Sequence, residues 1–177
     1  MYAGEKITLR PFTEAQSLQY LEWVNDSEMA RFVTRSLPVT LSEHGRWYES
    51  AVGRSDAVFF SVTCNETQRY LGNVWLWGVH PQHRSAELRI LLGDASSRGK
   101  GFGTEACRLL LRFAFESLNL NKVFLYVLAG NPAARRTFEK AGFRAEGVMP
   151  EEYFLDGAYQ DGLRMSALRS TWSLPKG

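Results

Sequence analysis

The sequence predicts a domain of the α/β class, in which α and β elements are mixed along the chain around one central sheet. Three observations support this prediction. The chain has 177 residues, 45% of them hydrophobic and 13% aromatic, which is enough for one well-filled core. Short β-rich runs alternate with stretches of helical periodicity. No repeat, low-complexity tract or Pro/Gly/Ser linker divides the chain, so we interpret residues 1–177 as a single domain.

The N-terminal part predicts one short strand followed by two helices. Lys6–Arg10 has the alternation of a strand. Thr13 followed by Gln16 forms a capping box that opens the first helix. Ser42 can cap the second helix, over about Glu43–Val52. Three apolar residues of the first helix are expected to share one of its faces: Leu18, Leu21 and Val24.

Three β-rich runs then predict the antiparallel part of the sheet. Ala57–Thr63 and Tyr70–Gly78 are separated by the polar residues 65–68, so we expect a hairpin. Ala86–Leu92 is the next strand. A glycine-rich loop follows it directly.

The next elements predict a strand between two helices. Helical periodicity begins at Thr104, and Lys122–Leu128 reads as a strand. Asn131 then supplies an N-cap, Pro132 suits the first helical position, and Gly142 suits the position after the helix.

The C-terminal part predicts a second hairpin. Tyr153–Leu155 and Leu163–Leu168 flank Asp156-Gly157, a dipeptide typical of tight hairpin turns. The sheet as a whole is therefore expected to contain both parallel and antiparallel strands.

Composition excludes several classes of partner. Lys plus Arg outnumber Asp plus Glu by only 21 to 19, so no global field attracts nucleic acid or an anionic membrane. Cys64 and Cys107 are far apart, which suggests neither a disulfide framework nor a thiolate metal site. The N-terminus lacks a signal pattern, and every apolar run is shorter than the roughly 18 residues of a membrane span. We predict a cytoplasmic protein without nucleic acid, membrane or metal partners.

The loop between the third β-rich run and the next helix is typical of an anion site. Gly99, Gly101 and Gly103 allow positive φ and close approach of backbone N–H groups to a ligand. Arg98 and Lys100 add positive charge, and a helix N-terminus follows. The expected occupant is a nucleotide-like diphosphate.

Two familiar phosphate-binding loops do not fit this segment. A Walker A loop requires Ser or Thr after Gly-Lys and a glycine five residues before its second glycine, but Gly101 follows Lys100 and Asp94 occupies the earlier position. The dinucleotide pattern GxGxxG would require glycine where Thr104 stands.

The remaining pattern resembles a known family. Arg98-x-x-Gly101-x-Gly103 is similar to the R/Q-x-x-G-x-G/A loop of the GNAT superfamily of acetyl-CoA-dependent N-acetyltransferases. NPAARRTFEKAGF at 131–143 resembles the superfamily segment in which an Asn ends the fifth strand and a short helix closes with E-K-x-G-F. The tail at 146–165 resembles the branch of ribosomal-protein and spermidine acetyltransferases.

The resemblance implies a GNAT-like fold and acetyl-CoA as cosubstrate. The sheet should be mixed but mostly antiparallel, with strands four and five splayed and the cosubstrate in the gap. The implied cosubstrate contacts are Leu91, Leu92, Arg98, Gly99, Lys100, Gly101, Phe102, Gly103, Thr104, Asn131, Arg135 and Phe138. From the residues alone, Asn131 can equally be a plain helix cap and Arg135 a solvated charge.

Acetyl transfer requires a base, because a primary amine with a pKa near 10 is mostly protonated at neutral pH. Glu87 is our candidate, since it begins the strand at the splay and shares a face with Arg89 and Leu91. The structural alternative is a strand-edge carboxylate paired with Arg89 or His83.

The reaction also requires a way for the thiolate to leave. The family has a tyrosine where this chain has Phe138, and a phenyl ring cannot donate a proton. Water, Tyr126 or Tyr159 could supply that proton, and we take Tyr126 as the candidate.

The acceptor is expected to be a primary amine of a small molecule, acetylated by direct transfer in a ternary complex. Residues 31–41 contain Arg31 and Arg35 and no acid, which favours an amino-sugar nucleotide over a polyamine, although both arginines can equally be solvated. The alternatives are protein N-terminal acetylation and a CoA-binding sensor without turnover. The resemblance is also compatible with a homodimer.

Overall fold

The computed structural model describes residues 1–30 and 38–173, and it confirms the mixed α/β class. Arg31 and Arg35 lie outside the described residues. The strands are β1 (Tyr2–Ala3), β2 (Ile7–Pro11), β3 (Ala57–Cys64), β4 (Tyr70–His80), β5 (Ser85–Leu92), β6 (Lys122–Leu128), β7 (Arg144–Leu155) and β8 (Ala158–Leu168). The helices are α1 (Glu14–Asn25), α2 (Ser27–Ala30), α3 (Leu41–Val52), α4 (Phe102–Arg112) and α5 (Pro132–Ala141). A 3₁₀ turn at Ala95–Ser97 precedes α4, and a π-helical turn at Phe113–Ser117 extends it.

The eight strands form one sheet in the order β1-β2-β3-β4-β5-β6-β8-β7. Every neighbouring pair is antiparallel except β5 and β6. These two strands are parallel and pair only where Ser85–Glu87 lies beside Lys122–Phe124. Beyond that point they separate, which confirms the predicted splay. The splayed strands were expected as the fourth and fifth, and the two-residue β1 shifts them to β5 and β6.

The two faces of the sheet differ in chemistry. One face packs on α4 and α5 through a core of mainly aliphatic side chains. The other face packs on α1 and α3 through aromatic side chains, including Tyr20 of α1 and Trp75 of β4. Cross-strand partners share a face, so the pairs Trp75–Arg89 and Trp77–Glu87 place the start of β5 on the aromatic side.

The predicted apolar face of α1 is only partly buried, because Val24 packs on the aromatic cluster but Leu18 does not. Leu18 is 55% exposed, whereas Ser17 and Tyr20 are buried. Ser17 Oγ shares a hydrogen bond of 2.6 Å with His44 Nε2 on α3, and this partner satisfies a polar group that would be costly to bury alone. The Tyr20 ring stacks on Trp47 of α3 at 5.4 Å.

Helix starts agree with the sequence to within two residues. The capping box of α1 is confirmed, with the Thr13 N–H donating to Gln16 Oε1 at 3.1 Å. The cap of α3 is Thr40 and not Ser42: Thr40 Oγ1 accepts from the Glu43 N–H at 3.2 Å, and Glu43 Oε2 accepts from the Thr40 N–H at 2.9 Å. This second capping box starts α3 two residues early.

The other predicted helix ends and the predicted hairpin turn are confirmed. Asn131 caps α5, Pro132 is its first residue, and Gly142 follows it in a left-handed conformation with φ 107°. Asp156-Gly157 joins β7 and β8 as a hairpin. Within the described ranges, no helix is long and apolar enough to cross a bilayer.

A pair of matched substitutions tests the two helix faces. Leu110→Ala removes a fully buried side chain of α4, so we expect the free energy of unfolding to fall by about 2 to 5 kcal/mol. Leu18→Ala, the same change at an exposed site of α1, should alter it by less than about 0.5 kcal/mol. Urea denaturation followed by circular dichroism measures both. A Leu18→Ala loss as large as that of Leu110→Ala would contradict the observed α1 face.

Candidate active site

The glycine loop before α4 has the backbone geometry of an anion site. Gly99 and Gly101 adopt left-handed conformations with φ 74° and 85°. The first bond of α4 runs from the Glu105 N–H to the Gly101 C=O at 3.0 Å. The amides of the three residues between them, 102–104, therefore have no acceptor within the helix. Together with the helix dipole, they can bind a phosphate.

An ion pair and hydrogen bonds fix one end of this loop, and a hydrogen bond fixes the other. Asp94 is buried and pairs with Arg69, with Nη2 and Oδ2 2.6 Å apart. The Asp94 C=O accepts from the Ser97 N–H at 2.9 Å and from Ser97 Oγ at 2.5 Å. At the other end, Lys6 Nζ donates to the Lys100 C=O at 3.2 Å. The side chains of Arg98 and Lys100 therefore project from an anchored backbone.

Gly103 faces α5 and β5, and a Cβ there would make ordinary van der Waals contacts with both. A Cβ at this position would come within 3.4 Å of Thr137 Cγ2 on α5 and 3.7 Å of Leu92 Cδ1 on β5. Thr104 Oγ1 in turn donates to the Thr137 C=O at 3.4 Å. The loop is thereby held beside the end of β5, where the strands part.

A cavity of about 820 Å³ begins at this gap and extends over the aromatic face of the sheet. Seven of the predicted site residues line it: Glu87, Leu91, Leu92, Arg98, Tyr126, Asn131 and Phe138. Within the described part of the chain, the lining does not include Arg135 or the segment 99–104. The glycine loop therefore flanks the cavity at its entrance rather than forming its wall.

The three predicted residues of α5 occupy different environments. Asn131 lines the cavity, and its side-chain oxygen caps the helix by accepting from the Ala134 N–H at 3.0 Å. Arg135 is exposed and pairs with Glu139 one turn later, with Nε and Oε1 2.8 Å apart. Phe138 is only 8% exposed and packs edge-to-face on Phe143. Cap and ligand roles remain compatible for Asn131, while Arg135 has the contacts of a solvated charge.

Glu87 forms a bidentate ion pair inside the cavity. Its two carboxylate oxygens accept from Arg89 Nε at 2.8 Å and Nη2 at 2.9 Å. The Arg89 guanidinium also lies over the Trp77 ring, 5.3 Å from its centroid. This is the pairing given above as the structural alternative, and both of its residues line the cavity.

The tyrosine candidates differ in position. Tyr126 lines the cavity, is 39% exposed and packs edge-to-face on Phe124. Tyr159 does not line the cavity, because it lies on the exposed hairpin against Phe154.

Tyr153 also lines the cavity and was not among the residues predicted from the sequence. Burial raises the pKa of its hydroxyl, and the negative charges of Glu152 and Glu87 raise this pKa further. Its strand was predicted, but its position along β8 depends on an irregularity of β7 that the sequence pattern does not reveal. The available signal was an aromatic residue three positions before the turn residue Asp156.

Aromatic side chains form the wall of the cavity opposite the gap. Phe59 and Trp75 stack at 5.5 Å, and Tyr20 and Trp47 stack at 5.4 Å. Trp75 and Trp77 therefore belong both to the packing of this face and to the cavity.

Cys107 lies away from the cavity, fully buried in the aliphatic core, where burial raises the pKa of its thiol to about 12. It is a packing residue.

A parted parallel strand pair with an anion-binding loop at its mouth defines an N-acetyltransferase that uses acetyl-CoA as cosubstrate. Comparison with known proteins places the chain more narrowly. A family model described as acetyltransferase (GNAT) domain matches residues 6–144, so the chain belongs to this family.

Similar proteins include two bacterial spermidine N(1)-acetyltransferases. The one from Vibrio cholerae serotype O1 is 39% identical over 102 residues, which is 58% of either chain. The one from Escherichia coli K12 is 29% identical over 166 residues, covering 93% of this chain and 87% of the relative. A crystal structure of the Vibrio cholerae spermidine N-acetyltransferase, in complex with CoA and spermine, matches with a TM-score of 0.88 and 28% identity. It covers 95% of this chain and 98% of that one.

A glycine substitution tests the loop. Gly101→Ala places a Cβ at φ 85°, a conformation that costs an L-residue about 1 to 2 kcal/mol. We expect the loop to relax and CoA to bind about tenfold more weakly, because about 1.4 kcal/mol corresponds to tenfold in affinity. Gly45→Ala is the matched control, since a Cβ on this exposed residue of α3 meets nothing within 4 Å. Calorimetric titration with CoA measures both, and equal affinity for Gly101→Ala and wild type would contradict the anion-site assignment.

Proposed function

We propose that this protein transfers the acetyl group of acetyl-CoA directly to a primary amine of a spermidine-type polyamine, with both substrates bound in one ternary complex. The continuity of the cavity carries this proposal. One cavity extends from Arg98, beside the glycine loop, to Trp77 and Glu87 on the aromatic face. Two substrates entering from these two ends would meet at the strand gap, so no covalent enzyme intermediate is required.

The cosubstrate end of the cavity suits CoA. The free amides of 102–104 would hold the diphosphate, and Arg98 and Lys100 would add charge. The inner edge of β5 beyond Glu87 has no strand partner among the described residues. The backbone groups of Leu91 and Leu92 on that edge can bond the amides of the pantetheine arm as a neighbouring strand would.

The acceptor end suits an aliphatic cation. Protonated amines bind over the faces of Trp, Tyr and Phe, and Trp47, Trp75 and Trp77 all line this end. The Glu87 carboxylate lies at the edge of the same wall and can accept a hydrogen bond from an ammonium group. A chain of methylene groups between amines would contact the rings between these points.

The relatives favour a polyamine over an amino-sugar nucleotide. Both named relatives act on spermidine, and the similar structure contains spermine. The preference for an amino-sugar nucleotide rested on Arg31 and Arg35, which lie outside the described residues. In the cavity itself, the Arg89 guanidinium is already paired with Glu87 and is not presented to a phosphate.

Glu87 would take the proton that converts the bound ammonium to the free amine, directly or through one water, and pass it to solvent. Acetyl-CoA, when bound, supplies the thioester carbon that the amine attacks and the thiolate that leaves. Arg89 holds the Glu87 carboxylate in position, and the aromatic wall orients the amine toward the gap.

An acceptor panel tests the proposed function. Thiol release is measured with acetyl-CoA and, separately, spermidine, spermine, an amino sugar, an aminoglycoside and a peptide with a free N-terminus. We expect the highest kcat/KM for the two polyamines. A higher value for the amino sugar or the peptide would replace the proposed acceptor. Binding of CoA without thiol release for any amine would overturn the proposal.

Glu87→Gln tests the base. We expect kcat to fall between about tenfold and 100-fold, because general-base catalysis contributes about 10²-fold or more and water can replace part of it. The dissociation constant of CoA should stay within about twofold. Steady-state kinetics and calorimetry measure the two quantities.

Asp56→Asn is the matched control for this substitution. Asp56 forms the same kind of bidentate pair with the residue two positions away, Arg54, whose guanidinium also lies over Trp77. This pair does not line the cavity, so its loss should leave kcat unchanged. An unaltered rate in Glu87→Gln would remove Glu87 from the mechanism.

A further inference from the structure

Because residue 138 is a phenylalanine, the departing thiolate lacks the proton donor that the family resemblance implies at this position. Phe138 has no hydroxyl, and its ring packs against Phe143 in the core. Among the described residues that line the cavity, hydroxyl groups come only from Tyr20, Tyr126 and Tyr153. Among these described lining residues, a hydroxyl donor to the departing sulfur must therefore be one of these three tyrosines.

Tyr20 lies farthest into the aromatic face. Its ring is buried and in contact with Phe12, Trp47 and Trp75. It belongs to α1, on the acceptor side, and not to either of the two parted strands. The remaining tyrosines, Tyr126 and Tyr153, lie at the β6 side of the gap.

A bulge in β7 places Tyr153 at this position. Met149 pairs with Gly162, and the next pair is Tyr153 with Gln160, so the three residues 150–152 face only Asp161. In an unbroken ladder, position 153 would pair with 158 beside the hairpin turn. The bulge moves Tyr153 by two residues along β8, about 7 Å toward the end of β6.

Specific contacts hold the bulge in place. Glu151 has a left-handed backbone with φ 53°, and its N–H donates to Asp161 Oδ1 at 2.9 Å. The Asp161 C=O accepts from the N–H of Ala129, the residue that follows β6, at 2.9 Å. One residue, Asp161, thus links the bulge to the strand that borders the gap.

Gly162 provides space for the Tyr153 ring. A Cβ at Gly162 would come within 3.0 Å of Tyr153 Cε2, so the ring lies over a position without a side chain. Gly162 itself pairs with Leu128 at the end of β6, and Leu128 lines the cavity. The Tyr153 ring therefore covers the end of β6, where β5 and β6 are apart.

Charged groups around Tyr153 favour the protonated phenol. The Glu87 carboxylate is near enough to act with burial in raising its pKa, while the Arg89 guanidinium opposes this effect. A tyrosine in these surroundings stays a hydrogen donor at neutral pH. Tyr126 is the more exposed of the two and lies under Arg164, whose guanidinium is 5.9 Å from its ring centroid.

We propose that Tyr153 is the catalytic acid of this enzyme and donates its phenolic proton to the departing thiolate, in the role that Phe138 cannot fill. This inference rests on the proposed acetyl transfer. The carbon–nitrogen bond forms as the carbon–sulfur bond breaks, and the sulfur takes the proton of the Tyr153 hydroxyl. The attacking nitrogen loses a proton as the amide forms, and this proton restores the phenol. The tyrosine ends neutral, and the products are the acetylated amine and the free thiol.

Tyr153→Phe tests the assignment, with Tyr159→Phe as a matched control on the exposed side of the same hairpin. We expect Tyr153→Phe to lower kcat at least 100-fold with spermidine while KM and CoA affinity change by less than about twofold. Tyr159→Phe should retain wild-type kcat. Rates limited by Tyr153 should fall above the phenol pKa, so the basic limb of the pH profile should disappear in Tyr153→Phe.

A relocation experiment separates catalysis from packing. Phe138→Tyr introduced into Tyr153→Phe offers a hydroxyl from α5, and we expect it to restore part of the lost kcat. Wild-type kcat in Tyr153→Phe, or a 100-fold loss in Tyr126→Phe alone, would overturn the assignment while leaving acetyl transfer intact. Absence of thiol release by the unaltered protein would overturn both proposals.

Discussion

The short parallel pairing of β5 with β6 is the constraint on which the site depends. Three residues of each strand pair, and each strand then keeps only its outer partner: β5 stays with β4 as far as Leu92, and β6 stays with β8 as far as Leu128. The inner edges carry backbone donors and acceptors that no other described strand satisfies. Because unpaired buried backbone groups are costly, such a gap is stable only when water or a ligand with amide groups occupies it. The unpaired backbone groups of the parted strands therefore form a binding site for such a ligand.

The two faces of the sheet have different roles at this gap: one fixes the surrounding elements, and the other forms a cavity. On one side, α4 and α5 pack through fully buried aliphatic residues such as Leu110 and Leu125, which fixes the glycine loop relative to β5. On the other side, aromatic rings leave an open cavity rather than a closed core. Well-packed aliphatic side chains give rigidity, whereas large flat rings give contact area to a ligand. In the proposed reaction, the two substrates would meet at the gap, where the cavity passes from one face of the sheet to the other.

Features encoded by adjacent residues could be predicted from the sequence, and features set by distant partners could not. The Asn131-Pro132 start of α5, its Gly142 end and the Asp156-Gly157 turn each depend on residues within a few positions. The buried face of α1 depends on His44, 27 residues beyond Ser17, so periodicity alone does not show that Leu18 is exposed. The position of Tyr153 likewise depends on Asp161 across the hairpin. The glycine loop was recognisable, but its relation to the cavity required the sheet.

The replacement of tyrosine by Phe138 can be understood from burial. The side chain at position 138 is only 8% exposed and packs against Phe143. A tyrosine hydroxyl there would lower the stability of the fold whenever no ligand or neighbour formed a hydrogen bond with it. Tyr153 is only partly buried, so its hydroxyl can exchange protons with solvent between turnovers. An acid at 153 approaches the gap from the aromatic face, while an acid at 138 approaches from α5. In the proposed mechanism, catalysis depends on where the hydroxyl lies relative to the sulfur, and positions 138 and 153 line the same cavity.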